Sequence, residues 1–332
     1  MKQSGSTFIT RSWYEGAVWL YLLFPLALLY LVVISIRKLC YRCKILSSYK
    51  STVPVVVVGN ITLGGTGKSP LVACLVSSLK QRGFNPGVVS RGYGAKLGKH
   101  ELREVLVSST AAEVGDEPLM LKLKVDCPIF VCPNRRLAVQ ALENKGCDII
   151  ITDDGLQHYA LQRDIEICVF DGNRRVGNGF ILPMGPLREL TRRMASVDYV
   201  VINGNACEND VLFGGAIRMS LQPGELCSLA TNQTCSLDAL PQKEVNAVAA
   251  IGNPERFFKL LESHHFNVIR HAYDDHHAFE VSDLEYDNDF PIIMTEKDAV
   301  KCRAFDIDNA WFLPVSARLS RDLVSEIIDA LD

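Results

Sequence analysis

Residues 55–70 read VVVVGNITLGGTGKSP, and this stretch decides the fold class of the chain. A continuous β-branched run is typical of a buried parallel strand, and the glycine-rich turn leads into a predicted helix at about 68–82. Glycines let backbone N–H groups approach phosphate oxygens at a helix start, where the helix dipole favours negative charge. The stretch therefore predicts a phosphate-binding P-loop between a strand and a helix.

Residue types within the loop suggest a nucleoside triphosphate bound with Mg²⁺. Lys68 would reach the β- and γ-phosphates, and the Ser69 hydroxyl would bind Mg²⁺. The loop departs from the strict pattern G-x-x-x-x-G-K-[S/T], because Thr62 stands at the position of its first glycine. The predicted nucleotide-binding residues are Thr62, Leu63, Gly64, Gly65, Thr66, Gly67, Lys68 and Ser69.

A second strand-like run, DIIIT at 148–152, leads into Asp153 and Asp154. A P-loop protein needs a carboxylate at the end of a neighbouring strand to hold Mg²⁺ directly or through water. Adjacent carboxylates after an apolar strand are costly to bury unless a cation or donors satisfy them. The pair is therefore a predicted metal site, with a strand-end Asx turn as the alternative. Asp171, at the end of another strand, is a weaker candidate.

Three further motifs are ambiguous by residue type alone. Asp116 and Glu117 would lie in the first turn of a helix, where acidic residues are common. His276, in the sequence DDHHAF, would belong to a metal site, an oriented base or a plain polar loop. Arg188, in a segment rich in glycine and proline, would stabilise a transferred phosphoryl group or be an ordinary surface arginine.

Strand-like and helix-like segments alternate along most of the chain, which is typical of a parallel sheet with helices on both faces. The length of 332 residues predicts about two domains. Residues 213–240 interrupt the alternation, which then resumes and closes with a predicted helix over 318–331. The predicted units are an N-terminal helix with a basic flank (1–50), a P-loop core (51–212), a β-hairpin or linker (213–242) and a smaller α/β lobe (243–332).

Composition excludes several classes of protein. Hydrophobic residues make up 48% and charged residues 22%, which excludes a disordered or low-complexity chain. A net charge of −3 argues against nucleic-acid binding through bulk positive charge. The eleven cysteines are scattered, which favours a reducing compartment. Cys40 and Cys43 form a lone C-x-x-C motif without the second pair that a zinc knuckle needs.

The N-terminal segment from Gly16 to Ile36 contains no charged residue. As a helix it would be about 31 Å long, close to the hydrocarbon thickness of a bilayer. A retained single-span anchor is the favoured interpretation, with a monotopic or re-entrant helix bent at Pro25 and a cleaved signal peptide as alternatives. Basic residues from Arg37 to Lys50 follow the segment, so the positive-inside rule puts the bulk of the chain in the cytoplasm.

Seven motifs in order resemble the tetraacyldisaccharide 4′-kinase family, the lipid A 4′-kinases of Gram-negative bacteria. They are VVVVGNITLGGTGKSP, VSRGYG, GDEP, TDDGLQH, NGFILPMGPLRE, DDHHAF and TEKDAVK. The resemblance implies transfer of the ATP γ-phosphate, with Mg²⁺, to the 4′-hydroxyl of tetraacyldisaccharide 1-phosphate, forming lipid IVA. It also implies a P-loop kinase core, a smaller α/β lobe and a membrane helix. The implied partners are the lipid A precursor and lipids of the bacterial inner membrane, at its cytoplasmic face.

The resemblance also assigns roles, motif by motif. Asp116 matches the catalytic base, and His276 matches its partner from the second lobe. Lys68 matches the P-loop lysine, and Arg188 with Glu189 matches a loop pair implicated in the active site. In the mechanism that this implies, Lys68 and Arg188 would neutralise charge on the phosphoryl group. The residues assigned to the magnesium side are Ser69, Asp153, Asp154 and Glu189. One of Arg135 and Arg136 matches a substrate-side arginine, and the sequence leaves open which.

Two other classes compete with a lipid kinase. A membrane-anchored P-loop GTPase is suggested by TEKD at 295–298 and by Ser316-Ala317, although Lys297 and Asp298 lack the intervening residue of a guanine-recognition motif. A scaffold that binds ATP and transfers nothing is the third class. Competition by GTP would separate the first of these from an ATP-dependent kinase.

Overall fold

Two sheets divide the chain into a large lobe and a small lobe. The computed structural model describes residues 5–204, 214–231 and 233–331. The strands of this part of the chain are β1 (Val55–Gly59), β2 (Pro86–Ser90), β3 (Arg103–Glu104), β4 (Ile129–Val131), β5 (Ile149–Asp153), β6 (Ile165–Asp171), β7 (Tyr199–Asn203), β8 (Ile217–Pro223), β9 (Leu226–Ser228), β10 (Thr234–Cys235), β11 (Glu244–Ala249), β12 (Asn267–Ala272), β13 (Ile292–Thr295), β14 (Ala310–Leu313) and β15 (Val315–Leu319).

Helices cover both sheets and also form the N-terminal segment. The α-helices are α1 (Gly5–Glu15), α2 (Phe24–Arg42), α3 (Lys68–Gln81), α4 (Ala111–Val114), α5 (Asp116–Lys124), α6 (Arg135–Asn144), α7 (Pro254–Ser263), α8 (Glu296–Cys302) and α9 (Leu323–Leu331). Short 3₁₀ segments are Val18–Leu23, Thr191–Ser196 and Val281–Leu284.

The large sheet has the order β15-β8-β7-β6-β1-β5-β2-β4-β3, and its seven inner strands run parallel. β1 is central and fully buried, and its side chains alternate between two cores: Val56 and Val58 pack on one face, Val55 and Val57 on the other. A strand covered on both faces needs a continuous apolar run, which explains VVVV. Val58 pairs with Asp153, so the P-loop and the acidic pair leave the sheet at the same edge.

The small sheet has the order β10-β9-β14-β13-β11-β12. Its strands β11 to β14 are parallel, and the antiparallel pair β9–β10 borders β14. Phe257, Phe258 and Leu261 of α7 pack into its core. Each side chain of this kind contributes roughly 1.5–3 kcal/mol when fully buried. The architecture is therefore the predicted parallel α/β core with a second, smaller α/β lobe.

The predicted domain boundaries do not coincide with the division of the chain between the two sheets. Within the described part of 213–242, β8 belongs to the large sheet, and only β9 and β10 form a hairpin on the small sheet. The predicted boundary between 212 and 213 lies outside the described residues, as does Cys207. The predicted helix over 318–331 begins only at Leu323. Residues 315–319 instead form β15 at the edge of the large sheet, where the alternation of VSARL suits a half-exposed strand.

The C-terminal helix α9 also returns to the large lobe. Leu323, Val324 and Ile327 are buried in the same core cluster as Leu71 and Leu75 of α3. The predicted small lobe over 243–332 is therefore wrong at its C-terminal end. The chain crosses back to the large sheet at Pro314, so the two lobes are joined by two covalent crossings.

The N-terminal apolar segment forms α2, preceded by a 3₁₀ segment. Pro25 lies in the first turn of α2, where its missing N–H is no loss, so it does not bend the helix. Ala27, Tyr30 and Ile34 pack on the large lobe, whereas the opposite face, which includes Leu29 and Val33, is exposed. Val18–Arg42 is long and apolar enough to cross a membrane, and 11% of its most apolar window is buried.

Candidate active site

The P-loop connects β1 to α3 and has its turns at two glycines with positive φ, Gly64 (100°) and Gly67 (92°). A Cβ on Gly67 would lie 2.3 Å from the Asn203 side-chain nitrogen. That nitrogen donates to the Thr66 carbonyl at 3.0 Å. The loop thus requires glycine at 67 both for its backbone conformation and for the close approach of β7.

Thr62 is compatible with the loop because its backbone is part of a bridge. Thr62 and Leu187 form an antiparallel bridge, and Leu63 N donates to Pro186 O at 2.8 Å. Thr62 is buried and has no positive φ, so this position does not need the glycine of the strict pattern. The cavity described below is lined by residues 63–69, whereas Thr62 supports the loop from behind.

Lys68 begins α3 and points toward the acidic pair. Its ammonium nitrogen lies 3.3 Å from Asn60 Oδ1 and 3.6 Å from Asp154 Oδ1, and its side chain is 11% exposed. Arg188 Nη1 reaches the same carboxylate at 3.0 Å. Burial alone would raise the pKa of Asp154, but Lys68 and Arg188 outweigh it and hold the pKa well below its usual value. Asp154 is therefore ionised and shared by two cations.

Asp153 contrasts with its neighbour. It is fully buried at the end of β5, and neither carboxylate oxygen has a hydrogen-bond partner. Burial, with Glu117 and Asp154 nearby, raises the pKa of Asp153 to about 7. Two orphaned carboxylate oxygens beside the P-loop are what a bound Mg²⁺ would satisfy, so the residues present fit the metal.

The described part of the chain contains no cluster of three or more His, Cys, Asp or Glu side chains able to hold a metal unaided. Mg²⁺ is commonly bound through one or two carboxylates together with phosphate oxygens and water. Ser69, Asp153 and Asp154 fit that mode. Glu189 already accepts from Gln157 at 2.9 Å and Tyr159 at 2.6 Å, so its predicted role at the metal has weaker support.

The two arginines that the sequence could not distinguish have different surroundings. Arg135 is buried and donates to the carbonyls of Asp153 at 3.0 Å and Asp154 at 2.7 Å, which fixes the end of β5. The Arg136 guanidinium lies over the Tyr49 ring, 5.1 Å from its centroid. Arg135 lines the cavity and is the arginine that faces the site.

Asp116 and His276 meet across the two lobes. Asp116, in the first turn of α5, is 4% exposed, and its Oδ2 lies 2.9 Å from His276 Nδ1. Because a carboxylate only accepts, Nδ1 carries the hydrogen. The His276 ring also packs on Tyr93, with centroids 4.7 Å apart. The structure therefore brings together two residues that are 160 positions apart in the sequence.

Electrostatics favour an ionised Asp116. Burial raises its pKa, but the hydrogen bond from His276 and the charge of Lys297 outweigh burial, so the pKa of Asp116 lies below its ordinary value. Burial lowers the pKa of His276, but Asp116 more than compensates and the pKa lies above its ordinary value. The pair can therefore hold a proton taken from a substrate hydroxyl.

A cavity of about 2980 Å³ lies between the lobes and extends to α2. The P-loop and the acidic pair line one side, and Glu117, His276 and Lys297 line another. Tyr30, Leu31 and Ile34 of α2 contribute an apolar wall. The cavity is thus large enough for a nucleotide and part of an amphiphilic acceptor together.

Comparisons with known proteins identify the family of the chain. The family model for tetraacyldisaccharide-1-P 4′-kinase matches residues 19–332. The chain belongs to this family. A tetraacyldisaccharide 4′-kinase from Tolumonas auensis is 48% identical over 327 residues, covering 97% of each chain. One from Methylobacillus flagellatus is 44% identical over 334 residues, covering 100% of this chain and 98% of the relative.

A solved member of the kinase family has the same fold. The crystal structure of LpxK from Aquifex aeolicus in complex with ATP superposes with a TM-score of 0.76 at 26% identity, covering 94% of this chain and 99% of that one. Membership and fold agree with the resemblance read from the seven motifs. Nothing in the comparisons supports the GTPase alternative.

Asp298 gives the physical reason that TEKD is no guanine-recognition loop in this family member. Its carboxylate is fully buried, accepts from Ala250 N at 2.9 Å and from the Thr295 hydroxyl at 2.6 Å, and pairs with Lys301 at 2.8 Å. The N-cap of α8 is Thr295, whose hydroxyl oxygen accepts from Asp298 N at 3.2 Å, and the Asp298 carboxylate ties α8 to the residue that follows β11.

Sequence reasoning missed several residues that shape the site. Lys297 contacts the Asp116–His276 pair, Asn203 supports the P-loop, and Gln157 and Tyr159 hold Glu189. The family motifs TEKDAVK and TDDGLQH contain Lys297 and Gln157, and that membership is the available signal for these two residues. Asn203 ends β7 after an apolar run, as Asp153 ends β5, and that placement was the available signal.

Proposed function

We propose that this chain transfers the γ-phosphate of ATP to the 4′-hydroxyl of tetraacyldisaccharide 1-phosphate, forming lipid IVA and ADP. The observation that carries the proposal is the Asp116–His276 pair, whose His276 lines the same cavity as the P-loop. A phosphate-binding loop and a paired base around one cavity are the two parts that phosphoryl transfer to an alcohol requires.

The nucleotide would lie along residues 63–69, with backbone N–H groups of the loop and Lys68 next to its phosphates. Ser69 and Asp153 would hold Mg²⁺, with Asp154 beside them. The bound metal would neutralise charge on the phosphate oxygens. Arg188 and Lys68 converge on Asp154, at 3.0 Å and 3.6 Å from its carboxylate.

On the acceptor side, the Asp116–His276 pair takes the proton of the 4′-hydroxyl. The hydroxyl oxygen forms a bond to the γ-phosphorus, the bond from that phosphorus to the bridging oxygen breaks, and ADP leaves with the electron pair. The removed proton goes to the Asp116 carboxylate, which is hydrogen-bonded to the Nδ1–H of His276. Lys68 and Arg188 stabilise the charge that spreads over the transferred phosphoryl group.

We also propose that α2 lies in the plane of the inner membrane, with the lobes on the cytoplasmic face. The contacts of the N-terminal segment with the large lobe run from Leu20, in the preceding 3₁₀ segment, to Ile34 of α2. A helix packed along this length against a lobe with a polar surface lies beside that lobe, which favours the monotopic alternative over a single span. Arg37, Lys38 and Arg42 near its end suit anionic headgroups.

The first test is phosphoryl transfer in detergent micelles. Purified full-length protein, ATP labelled on the γ-phosphate, Mg²⁺ and tetraacyldisaccharide 1-phosphate are expected to give labelled lipid. Excess unlabelled ATP should dilute the label, and GTP should not. Absence of labelled lipid from a wild-type protein that binds ATP would contradict the kinase and favour the scaffold class.

Membrane binding is tested separately with liposomes that contain anionic phospholipid. Val33→Glu places a charge on the exposed face of α2, where Val33 is 55% exposed, and should reduce flotation with liposomes. Val281→Glu is the matched control, because Val281 is 47% exposed on the small lobe. Equal flotation of both variants with the wild type would contradict the proposed membrane face.

A further inference from the structure

Lys297 occupies a buried position between the two lobes. Its ammonium nitrogen lies 3.1 Å from Glu117 Oε1, 3.1 Å from Asp275 Oδ1 and 3.7 Å from Asp116 Oδ2. It also lies 3.4 Å from His276 Nε2, and its side chain is 13% exposed. A single cation thus contacts both members of the Asp116–His276 pair and a further carboxylate from each lobe.

The surroundings of Lys297 are strongly acidic. Burial opposes its charge, but Glu117, Asp116 and Asp275 raise the pKa of Lys297 well above its ordinary value, so it stays protonated. Three converging carboxylates without this cation would repel one another and would take up protons. The charged and titratable groups around it are Asp116 and Glu117 of α5, Asp275 and His276 of the loop before the Val281–Leu284 segment, Tyr93 against the His276 ring, and Glu296, Asp298 and Lys301 of α8.

Hydrogen-bond chemistry gives Lys297 an orienting role as well. Lysine only donates, so His276 Nε2 accepts from it, while Nδ1–H donates to Asp116. The contact therefore favours the neutral ring with its hydrogen on Nδ1. It also opposes a second proton on Nε2, because that proton would face the ammonium group.

We propose that Lys297 is a positioning residue for phosphoryl transfer: it joins the two lobes at the Asp116–His276 pair and keeps that pair free to accept a proton at neutral pH. The inference rests on the proposed function and deepens it. It assigns to TEKDAVK a task at the acceptor side of the cleft.

The test is the pH dependence of kcat for full-length variants with ATP, Mg²⁺ and the lipid acceptor in micelles. Lys297→Met removes the charge and keeps the length, so the acid limb should move to higher pH by about one to three units. Lys297→Arg keeps the charge and should return the limb toward its wild-type position. A Lys297→Met enzyme with an unmoved acid limb would overturn the proposal, whatever its rate.

Two further variants separate electrostatics from simple loss of a contact between lobes. Lys124→Gln removes the Lys124–Glu296 pair, an inter-lobe ion pair of 2.8 Å that does not contact Asp116 or His276, and should leave the acid limb in place. Asp275→Asn removes negative charge next to His276 and should move the limb to lower pH, opposite to Lys297→Met. A shift of the acid limb in the same direction for Asp275→Asn and Lys297→Met would overturn the proposal.

The variants also distinguish this inference from a direct substrate contact. A positioning role lowers kcat and moves its pH profile, whereas a substrate contact raises KM for the lipid with kcat and its pH profile unchanged. The second result would overturn the proposal. If Lys297→Met does not fold, Asp275→Asn and Lys297→Arg still test the direction in which the acid limb of kcat moves. Wild-type transfer in the same assay keeps a failure here distinct from failure of the kinase function.

Discussion

The two sides of the cleft are built in different ways. The nucleotide side comes from one continuous stretch, β1 to α3, with the acidic pair added by the adjacent strand β5. The acceptor side is assembled from α5, a loop of the small lobe and α8, and its central contact joins residues 160 positions apart. The first can be read as a local pattern, and the second exists only when both lobes fold and meet.

The two sides also differ in how their carboxylates are satisfied. Asp153 on the nucleotide side has no hydrogen-bond partner, whereas Asp116 on the acceptor side has His276 and Lys297 within reach. A buried carboxylate without partners is unfavourable until a cation binds to it, whereas a paired carboxylate is already stabilised by its hydrogen bonds. This comparison predicts that ligands bind mainly through the nucleotide side and that the pH dependence of kcat arises mainly on the acceptor side.

The largest effect is expected on the acceptor side. Asp116→Ala should lower kcat by about 10²–10⁴ with little change in KM for ATP, because it removes the proton acceptor and leaves the P-loop intact. Steady-state kinetics with labelled ATP measures this. Asp126→Ala, which removes an exposed carboxylate just after α5, is the control. A near-normal kcat for Asp116→Ala would remove Asp116 from its role.

Lys68→Ala tests the nucleotide side and should affect both kcat and KM for ATP. We expect kcat to fall by about 10²–10³ and KM for ATP to rise, because Lys68 neutralises phosphate charge in both the ground and transition states. Lys80→Ala, near the opposite end of α3, should leave ATP binding unchanged. A variant that loses kcat with an unchanged KM for ATP would contradict the ground-state contact.

Asp153 and Asp154 should respond to pH with opposite signs in the absence of Mg²⁺. The folded state raises the pKa of Asp153 from 3.8 to about 7, so the stability from its neutral form is complete below about pH 4 and is lost as the pH rises through about 7. The pKa of Asp154 is lowered, so its contribution is present above about pH 4 and is lost on further acidification.

At pH 8 without Mg²⁺, Asp153→Asn should therefore be more stable than the wild type by about 1–4 kcal/mol, and Asp154→Asn should be less stable. Denaturant unfolding at several pH values measures both. Added Mg²⁺ with ATP should stabilise the wild type more than Asp153→Asn, because only the wild type has a negative charge at Asp153 beside that of Asp154. Destabilisation by both substitutions at pH 8 would count against the raised pKa.

A smaller effect is expected from the P-loop backbone. Gly67→Ala should lower the stability of the fold by about 1–3 kcal/mol, because φ is +92° and the new Cβ would meet the Asn203 amide. At Gly65 φ is not in the left-handed region and a Cβ would meet nothing within 4 Å, so Gly65→Ala should leave Tm near that of the wild type. Equal Tm values for the two variants would contradict this account of the loop.

The fold was predictable where the hydrophobic pattern of the sequence matches the strand or helix that forms there. VVVV predicts β1, α3 begins at the predicted residue 68, and Asp116 lies in the first turn of α5 as predicted. The predicted helix begins too early, at residues 318 and 319, which instead end β15. Five alternating residues before an amphipathic helix carry little signal, and their partner β8 is almost 100 positions earlier. Pairing over such distances depends on tertiary packing that a local pattern does not contain.

The candidate site was predictable to a similar extent. The P-loop and Asp153 follow from their position after buried strands. By residue type alone Asp116 was an ordinary first-turn acid, and its pairing with His276 was available only through the family resemblance. Lys297 was read as part of a guanine-like sequence, since one chain cannot reveal that α8 turns its first residues toward α5. The contacts that escaped prediction are those made between lobes.

The central claim is that Asp116 and His276 act as one unit, and a double-mutant cycle tests it most directly. We would measure kcat for Asp116→Asn, His276→Gln and the double variant in the micelle assay at one pH. Residues that act as a unit are strongly non-additive, so the double variant should be about as slow as the slower single variant. Losses that multiply, with each single variant contributing its full factor to the double, would contradict the claim.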